Sequence, residues 1–449
     1  MTGKEKIIAV LNKEKIDSIP WLPFAGVHAG KLKGYTAKEV STDAGKLIDS
    51  LREVNKLYKP DGQPIMFDLQ IEAEILGCEL LWSEDAPPTV ASHPLSDVSD
   101  IPTHIPAVDE GRIPLSVEAM KAMKAEIGEH TALYGLITGP FTLASHLRGT
   151  NIFMDMIMNP EYVTSLLEYT TRVANAVAGY YIEAGMDVIA VVDPLVSQIS
   201  PAHFAEFMDK PFSKVFDYIR TNGAFSSFFV CGNATANIAP MCMTKPDSIS
   251  VDENVNLAEA KKVTDSFDIV IGGNIPLTSI MLFGTQQDNM KNTIDLIDSL
   301  DNTDRLIIAP GCDMPYDIPI ENTIGVQQAV HQTDQIRAMV ENYECTEIVF
   351  EGELPDYANL ERPLIEVFTL DSITCAACTY MKASAMDIKK HFGDKVDMVE
   401  YKYTEPQNIA RCKVMEVKQL PSIYINGELK YSSIIPNRAG FVSEVEKCL

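Results

Sequence analysis

No run of about 18 apolar residues interrupts the chain, so a transmembrane helix is not expected. The first residues, MTGKEKIIAVLNKEKI, lack the apolar stretch and cleavage site of a secretory signal, which leads to the expectation of a cytoplasmic protein. Positive charge is in short supply. Lys and Arg number 37 against 63 Asp and Glu, and the formal net charge is −26. Such a surface repels phosphate backbones and anionic lipid heads, so nucleic-acid and membrane-surface binding are set aside. No Gly-rich phosphate loop follows the first apolar run, which argues against an open dinucleotide-binding sheet. A second CxxC is also missing, so an ordinary zinc knuckle is not expected.

What is present is a repeat of short apolar runs that stop in Asp, Cys, Asn or Gly-Pro. Eight occur: Ile19–Gly26, Pro64–Asp68, Ala132–Pro140, Asp187–Pro194, Ser227–Gly232, Ser248–Asp252, Asp268–Asn274 and Arg305–Cys312. Near-continuous apolar runs suit strands buried on both faces, as in a parallel sheet. Helical segments with apolar residues at spacings of three and four lie between them, as in residues 160–184. Eight strand–helix repeats predict an α/β fold, a (β/α)8 barrel of the TIM type. It is expected to span residues 1–340. A polar, acidic stretch over 341–363 reads as a linker, and a smaller α/β domain over 364–449 follows it.

In TIM barrels the site is built at the C-terminal ends of the strands. Reading those ends yields His28, Asp68, Glu72, Tyr134, Asp193, Cys231, Asp252, Asn274 and Cys312 as candidates. Asp193, Asp252 and Asn274 suit helix caps as well as ligand contacts. Two cysteines distant in sequence thus fall in one cleft, and thiolates are soft ligands suited to Zn²⁺. Met154, Met156 and Met158 read as packing or a partner-facing surface.

Beyond the linker, Cys375-Ala-Ala-Cys378 follows an apolar strand and opens a helix. The helix N-terminus stabilises a first thiolate, and the second thiol is near enough to resolve a mixed disulfide. Leu420-Pro421 then begins a strand that ends in Asn426-Gly427, a hairpin turn. This order resembles the thioredoxin fold over about 85 residues. The resemblance implies a cis Pro421 against a redox-active Cys375/Cys378 pair.

GPFTLASHLRG, AGMDVIAVVDPLVSQISPAHFAEFMDKP, VCGNAT, SISVDENVNLAEAKK, IGGNIP and APGCDMPYDIPIENTIGVQQAV resemble the uroporphyrinogen decarboxylase superfamily over residues 1–335. Within it, the likeness runs nearest to the cobamide-dependent methyltransferases. They move a methyl group between a corrinoid protein and a thiol such as coenzyme M or another acceptor. The resemblance implies a methylcobamide carried by a partner, and zinc held by a His-x-Cys motif and a distant Cys. Cys231 and Cys312 match the two cysteines, but Phe229 stands in the place of the histidine. His28 or an acid such as Glu72 would then complete the zinc site. Alternatively there is no metal, and Cys231 and Cys312 form a thiol pair serviced by Cys375 and Cys378.

The decarboxylases carry an Arg-rich N-terminal motif for the carboxylates of the porphyrinogen. Here that position reads WLPFAGVHAGKLKGY, without arginine. The expected activity is therefore corrinoid-linked methyl transfer, with Asp68 and Asn274 orienting a small-molecule acceptor or donor. The rival reading is a thiol–disulfide oxidoreductase with a barrel that binds a tetrapyrrole or other small molecule.

Overall fold

Seven of the eight apolar runs become parallel strands of one curled sheet. The computed structural model describes residues 1–370, 372 and 376–449. The strands are β1 (Gly62–Pro64), β4 (Ala132–Thr138), β5 (Val188–Val192), β6 (Phe225–Val230), β7 (Ser248–Val251), β8 (Val270–Ile275) and β9 (Leu306–Pro310). They are ordered β1-β4-β5-β6-β7-β8-β9. Two two-residue strands, β2 (Leu80–Leu81) and β3 (Thr89–Val90), pair apart from this sheet.

The first run, Ile19–Gly26, was expected to be a full strand and is reduced to a single bridge, Trp21 to Ile308. Pro20 and Pro23 lack the N–H that a ladder requires. The segment nevertheless closes the barrel. Leu22 N donates to Ile308 O, Ile308 N to Pro20 O and Asp61 N to Trp21 O, each at 2.9 Å. The run at Pro64–Asp68 also shifts, with its strand lying earlier at Gly62–Pro64.

Alternate strand residues fill the barrel. Tyr134 and Leu136, then Val188, Ala190 and Val192, then Ile307 and Ala309 join Phe24, Phe67 and Phe229 in one buried cluster. The intervening Leu133, Ile137, Ile189 and Val191 are equally buried, beneath the outer helices. Those helices start where the sequence provides for it. Pro140 and Pro160 occupy first-turn positions, and Thr285 forms a capping box with Asp288.

The chain divides into two compact units. One is Met1–Val196 with Ser200–Cys345, and the other is Thr346–Leu449 with Ser197–Ile199. The second contains β10 (Leu364–Thr369), β11 (Asp397–Lys402), β12 (Ser422–Ile425) and β13 (Glu428–Ser432) in the order β11-β10-β12-β13. β10 pairs parallel with β11 and antiparallel with β12. Asn426 and Gly427 both have positive φ, +50° and +76°, as a tight hairpin turn requires. The Leu420–Pro421 peptide is cis.

Residues 346–363 form no helix or strand, yet they are not a free tether. Tyr357 donates to Glu366 at 2.9 Å, and Arg411 stacks over Phe350 at 4.9 Å. Acidic composition suggests a linker there; Tyr357 attaches it to β10, and Phe350 to Arg411 on the helix Pro406–Val414. Among the described residues, no helix is long and apolar enough to cross a membrane.

Candidate active site at the barrel mouth

Phe24, Phe67 and Phe229 form the apolar floor of the mouth. Phe229 is fully buried, with its ring centroid 4.6 Å from Phe24 and 5.9 Å from Phe67. Cys231 and Cys312 pack against this cluster from above and are partly exposed. They are bonded to each other, with a Cα–Cα distance of 5.8 Å.

Carboxylates surround them, and each fastens one strand end to its neighbour. Glu72 accepts from Thr138 N at 3.2 Å and from Thr138 Oγ1 at 2.8 Å. Asp193 accepts from Phe141 N at 2.9 Å and Thr142 Oγ1 at 2.6 Å, so it caps the helix after β4. Gly139 makes room for it, since a Cβ there would stand 2.3 Å from Asp193 Oδ2. Asp252 accepts from Gly232 N at 2.9 Å. Glu253 accepts from Leu277 N at 2.7 Å, and Asp313 from Gly26 N at 2.9 Å. Asn274 donates to Asp252 O at 2.8 Å and to Val255 O at 2.7 Å. Asp193 thus caps the helix after the neighbouring strand rather than one that follows it, and Asp252 and Asn274 brace the loops beside them.

Burial shifts these acids upward. The carboxyls of Glu72 and Asp193 are pushed up to about 7 by desolvation, despite their hydrogen bonds. Glu253 rises to about 8, through burial first and then the neighbouring Asp252 charge. A buried acid whose folded pKa exceeds its unfolded value stabilises the fold below the unfolded value. That stability is lost as pH climbs through the folded pKa. Glu72 and Asp193 should therefore each cost about 1 kcal/mol between pH 6 and pH 8. Melting at the two pH values checks this, and a higher midpoint at pH 8 would contradict it.

Asp68 is buried and differently placed. It accepts from Gln70 N at 2.8 Å and is paired with Arg112, which also binds Glu74 at 2.7 Å and lies over Trp82 at 5.0 Å. Arg112 was not foreseen. It starts a helix some forty residues along the chain from Asp68, and no motif marks it.

Two predicted residues are not brought to the mouth chemistry. Tyr134 is level with Val188, the first residue of β5, so it stands toward the strand starts. Its hydroxyl is buried without a hydrogen-bond partner, within the apolar cluster. A position on the strand had suggested a substrate contact; the register turns it into core. His28 is buried with both ring nitrogens occupied. Nδ1 donates to Tyr316 O at 2.9 Å, which leaves Nε2 to accept from Tyr58 Oη at 2.7 Å. Burial lowers its pKa to about 4.

A zinc ion does not fit this donor set. Phe229 offers no ligand atom, both ring nitrogens of His28 are taken by Tyr316 and Tyr58, and Glu72 is taken by Thr138, so Cys231 and Cys312, bonded or reduced, lack a third ligand. Among the described residues, no group of three His, Cys, Asp or Glu is arranged to hold a metal. Cys375 lies outside the described residues. Cys378 is buried, with its sulfur accepting from Leu370 N at 3.3 Å.

Residues 2–333 match the family described as uroporphyrinogen decarboxylase (URO-D). The chain is 27% identical over 329 residues to methylcobamide:CoM methyltransferase MtbA of Methanosarcina acetivorans, covering 72% of this chain and 95% of that one. It is 26% identical over 334 residues to methylcobamide:CoM methyltransferase MtaA of Methanosarcina barkeri, with the same coverage. A solved methyltransferase from Methanosarcina mazei shares the fold with a TM-score of 0.68 at 22% identity, over 74% of this chain and 99% of that one.

Proposed function

The chain belongs to the uroporphyrinogen decarboxylase family, and from that premise we propose that its barrel moves a methyl group between a methylcobamide and a small thiol. The methylcobamide is substrate, presented by a separate corrinoid protein docked over the mouth. The observation that carries the proposal is the similarity to methylcobamide:CoM methyltransferases over 72% of this chain and 95% of theirs. Porphyrinogen decarboxylation is disfavoured by charge. Arg112 is already engaged by Asp68 and Glu74, and the first apolar run, Ile19–Gly26, brings no arginine to meet a polycarboxylate.

A thiol attacks carbon only as thiolate, so the site needs a proton acceptor. Glu253 is partly exposed, accepts one backbone hydrogen bond, and has a pKa of about 8, close to that of a free thiol. It takes the thiol proton. The thiolate then forms the sulfur–carbon bond as the cobalt–carbon bond breaks, and that bond's electron pair stays with cobalt. The Phe24, Phe67 and Phe229 floor keeps water from the methyl group. Asp68, fixed by Arg112, orients the acceptor, while Glu72, Asp193, Asp252 and Asn274 hold the strand ends and loops around it. No step runs through zinc, because the donor set is incomplete.

The second unit is proposed to be thioredoxin-like, with Cys375 and Cys378 as its dithiol. Its strand order, β11-β10-β12-β13, with β10 parallel to β11 and antiparallel to β12, supports this. A cytoplasmic location suits these thiols. The bonded Cys231–Cys312 pair favours a second reading, a thiol–disulfide oxidoreductase. The Cys375→Ala/Cys378→Ala chain separates them. Methyl transfer to a thiol is expected to be unchanged in it; loss of transfer would shift the activity to the dithiol.

A further inference from the structure

Up to the last helix of the barrel, which ends at Val340, cysteine chemistry is concentrated at one point. Cys78 and Cys242 are buried, and burial pushes their thiols up to about 12, which keeps them inert near neutral pH. Cys231 and Cys312 are partly exposed at the mouth. They follow β6 and β9, strands that are not neighbours, since β7 and β8 lie between them. The bond joining them is therefore a chord past the ends of β7 and β8. Asp252, Glu253 and Asn274 stand at those ends. Contact at one end of the chord is close. A Cβ on Gly311, the residue before Cys312, would lie 3.2 Å from Glu253 Oε2. Gly232, the residue after Cys231, is held by Asp252 at 2.9 Å.

We infer that the Cys231–Cys312 bond is a reversible two-electron gate over the mouth, closed when oxidised and opened to the thiol acceptor by a dithiol reductant. The inference rests on the methyl-transfer reading and adds a regulation to it. Opening is thiol–disulfide exchange. One thiolate of the dithiol attacks one sulfur of the pair, forms a mixed disulfide and expels the other sulfur as thiolate. The second thiol of the reductant then displaces the remaining cysteine. The reductant leaves as its disulfide, two electrons pass to the pair, and Cys231 and Cys312 end as thiols. A diamide oxidant runs the same two electrons the other way. The chord is then gone, and the approach to Glu253, partly exposed while the bond is in place, widens for a thiol entering the mouth.

The test uses the full chain in two preparations, one oxidised with diamide and one reduced with tris(2-carboxyethyl)phosphine. Alkylation and peptide mass mapping should find residues 231 and 312 cross-linked in the first and alkylated in the second. Dithiothreitol should convert the first to the second. Methyl transfer from methylcobalamin to coenzyme M should show a lag in the oxidised sample, as the acceptor thiol slowly opens the bond, and none after reduction. Alkylation of both cysteines in the diamide-treated chain would overturn the gate and leave the methyl-transfer reading intact. Equal, lag-free rates in both preparations, with the cross-link confirmed, would also overturn it. A reversible cross-link with no transfer in either state would instead sink the methyl-transfer reading, and the gate with it.

Discussion

Replacing Glu253 with Gln should slow methyl transfer to a thiol about 10²–10⁴-fold, the range by which a positioned base accelerates proton transfer. Gln preserves the size of the side chain and an oxygen for Leu277 N, now accepted at 2.7 Å. What it removes is the ability to hold a proton. With a folded pKa of about 8, Glu253 is mostly protonated at pH 7 and mostly ionised at pH 9. kcat/KM of the reduced wild type should thus rise through about pH 8 and level off. In the variant that rise should be replaced by one that follows only the ionisation of the acceptor. The effect belongs in kcat, with KM for methylcobalamin little changed. A purely structural role would lower the melting midpoint and leave the pH profile as it was.

Phe229→Ala should destabilise the barrel by about 3–5 kcal/mol, the usual cost of truncating a fully buried aromatic ring. The ring contacts Phe24 at 4.6 Å and Phe67 at 5.9 Å, so its removal opens a cavity beneath the Cys231–Cys312 bond. Urea unfolding should show a lower midpoint with unchanged slope. A shift below about 1 kcal/mol would mean that the floor collapses into the space and that Phe229 is not a structural replacement for a ligand. The outcome bears on the site as well as on stability. The position that carries a ligand in the resemblance has here become part of the hydrophobic floor.

Much of this site could be read from the order of residues, because a strand that stops abruptly in a polar residue places that residue at the mouth. Asp193, Cys231 and Asp252 directly follow their strands, Asn274 and Cys312 lie at or near the ends of theirs, and Asp68 and Glu72 lie well beyond the end of β1 at Pro64. Their partners could not be read in this way. Asp193 caps a helix on the neighbouring strand, and Glu72 reaches Thr138, contacts that depend on which strands adjoin. Arg112 was invisible because its link to Asp68 is made by tertiary packing. Tyr134 was misplaced because inter-strand register decides which end of the barrel a mid-strand residue occupies. His28 follows the first run, as expected, but Tyr58 and Tyr316 claim its nitrogens from two other segments. The apolar run around Trp21 shrinks to a bridge because Pro20 and Pro23 lack the N–H donors that a strand ladder needs.

The central claim is that this barrel transfers a methyl group, and the direct measurement is anaerobic reaction of the phosphine-reduced chain with methylcobalamin and coenzyme M. The expected result is protein-dependent loss of the methylcobalamin spectrum, matched mole for mole by methylated coenzyme M, with far slower transfer by Glu253→Gln. Binding of methylcobalamin and coenzyme M without formation of a methyl thioether would contradict it.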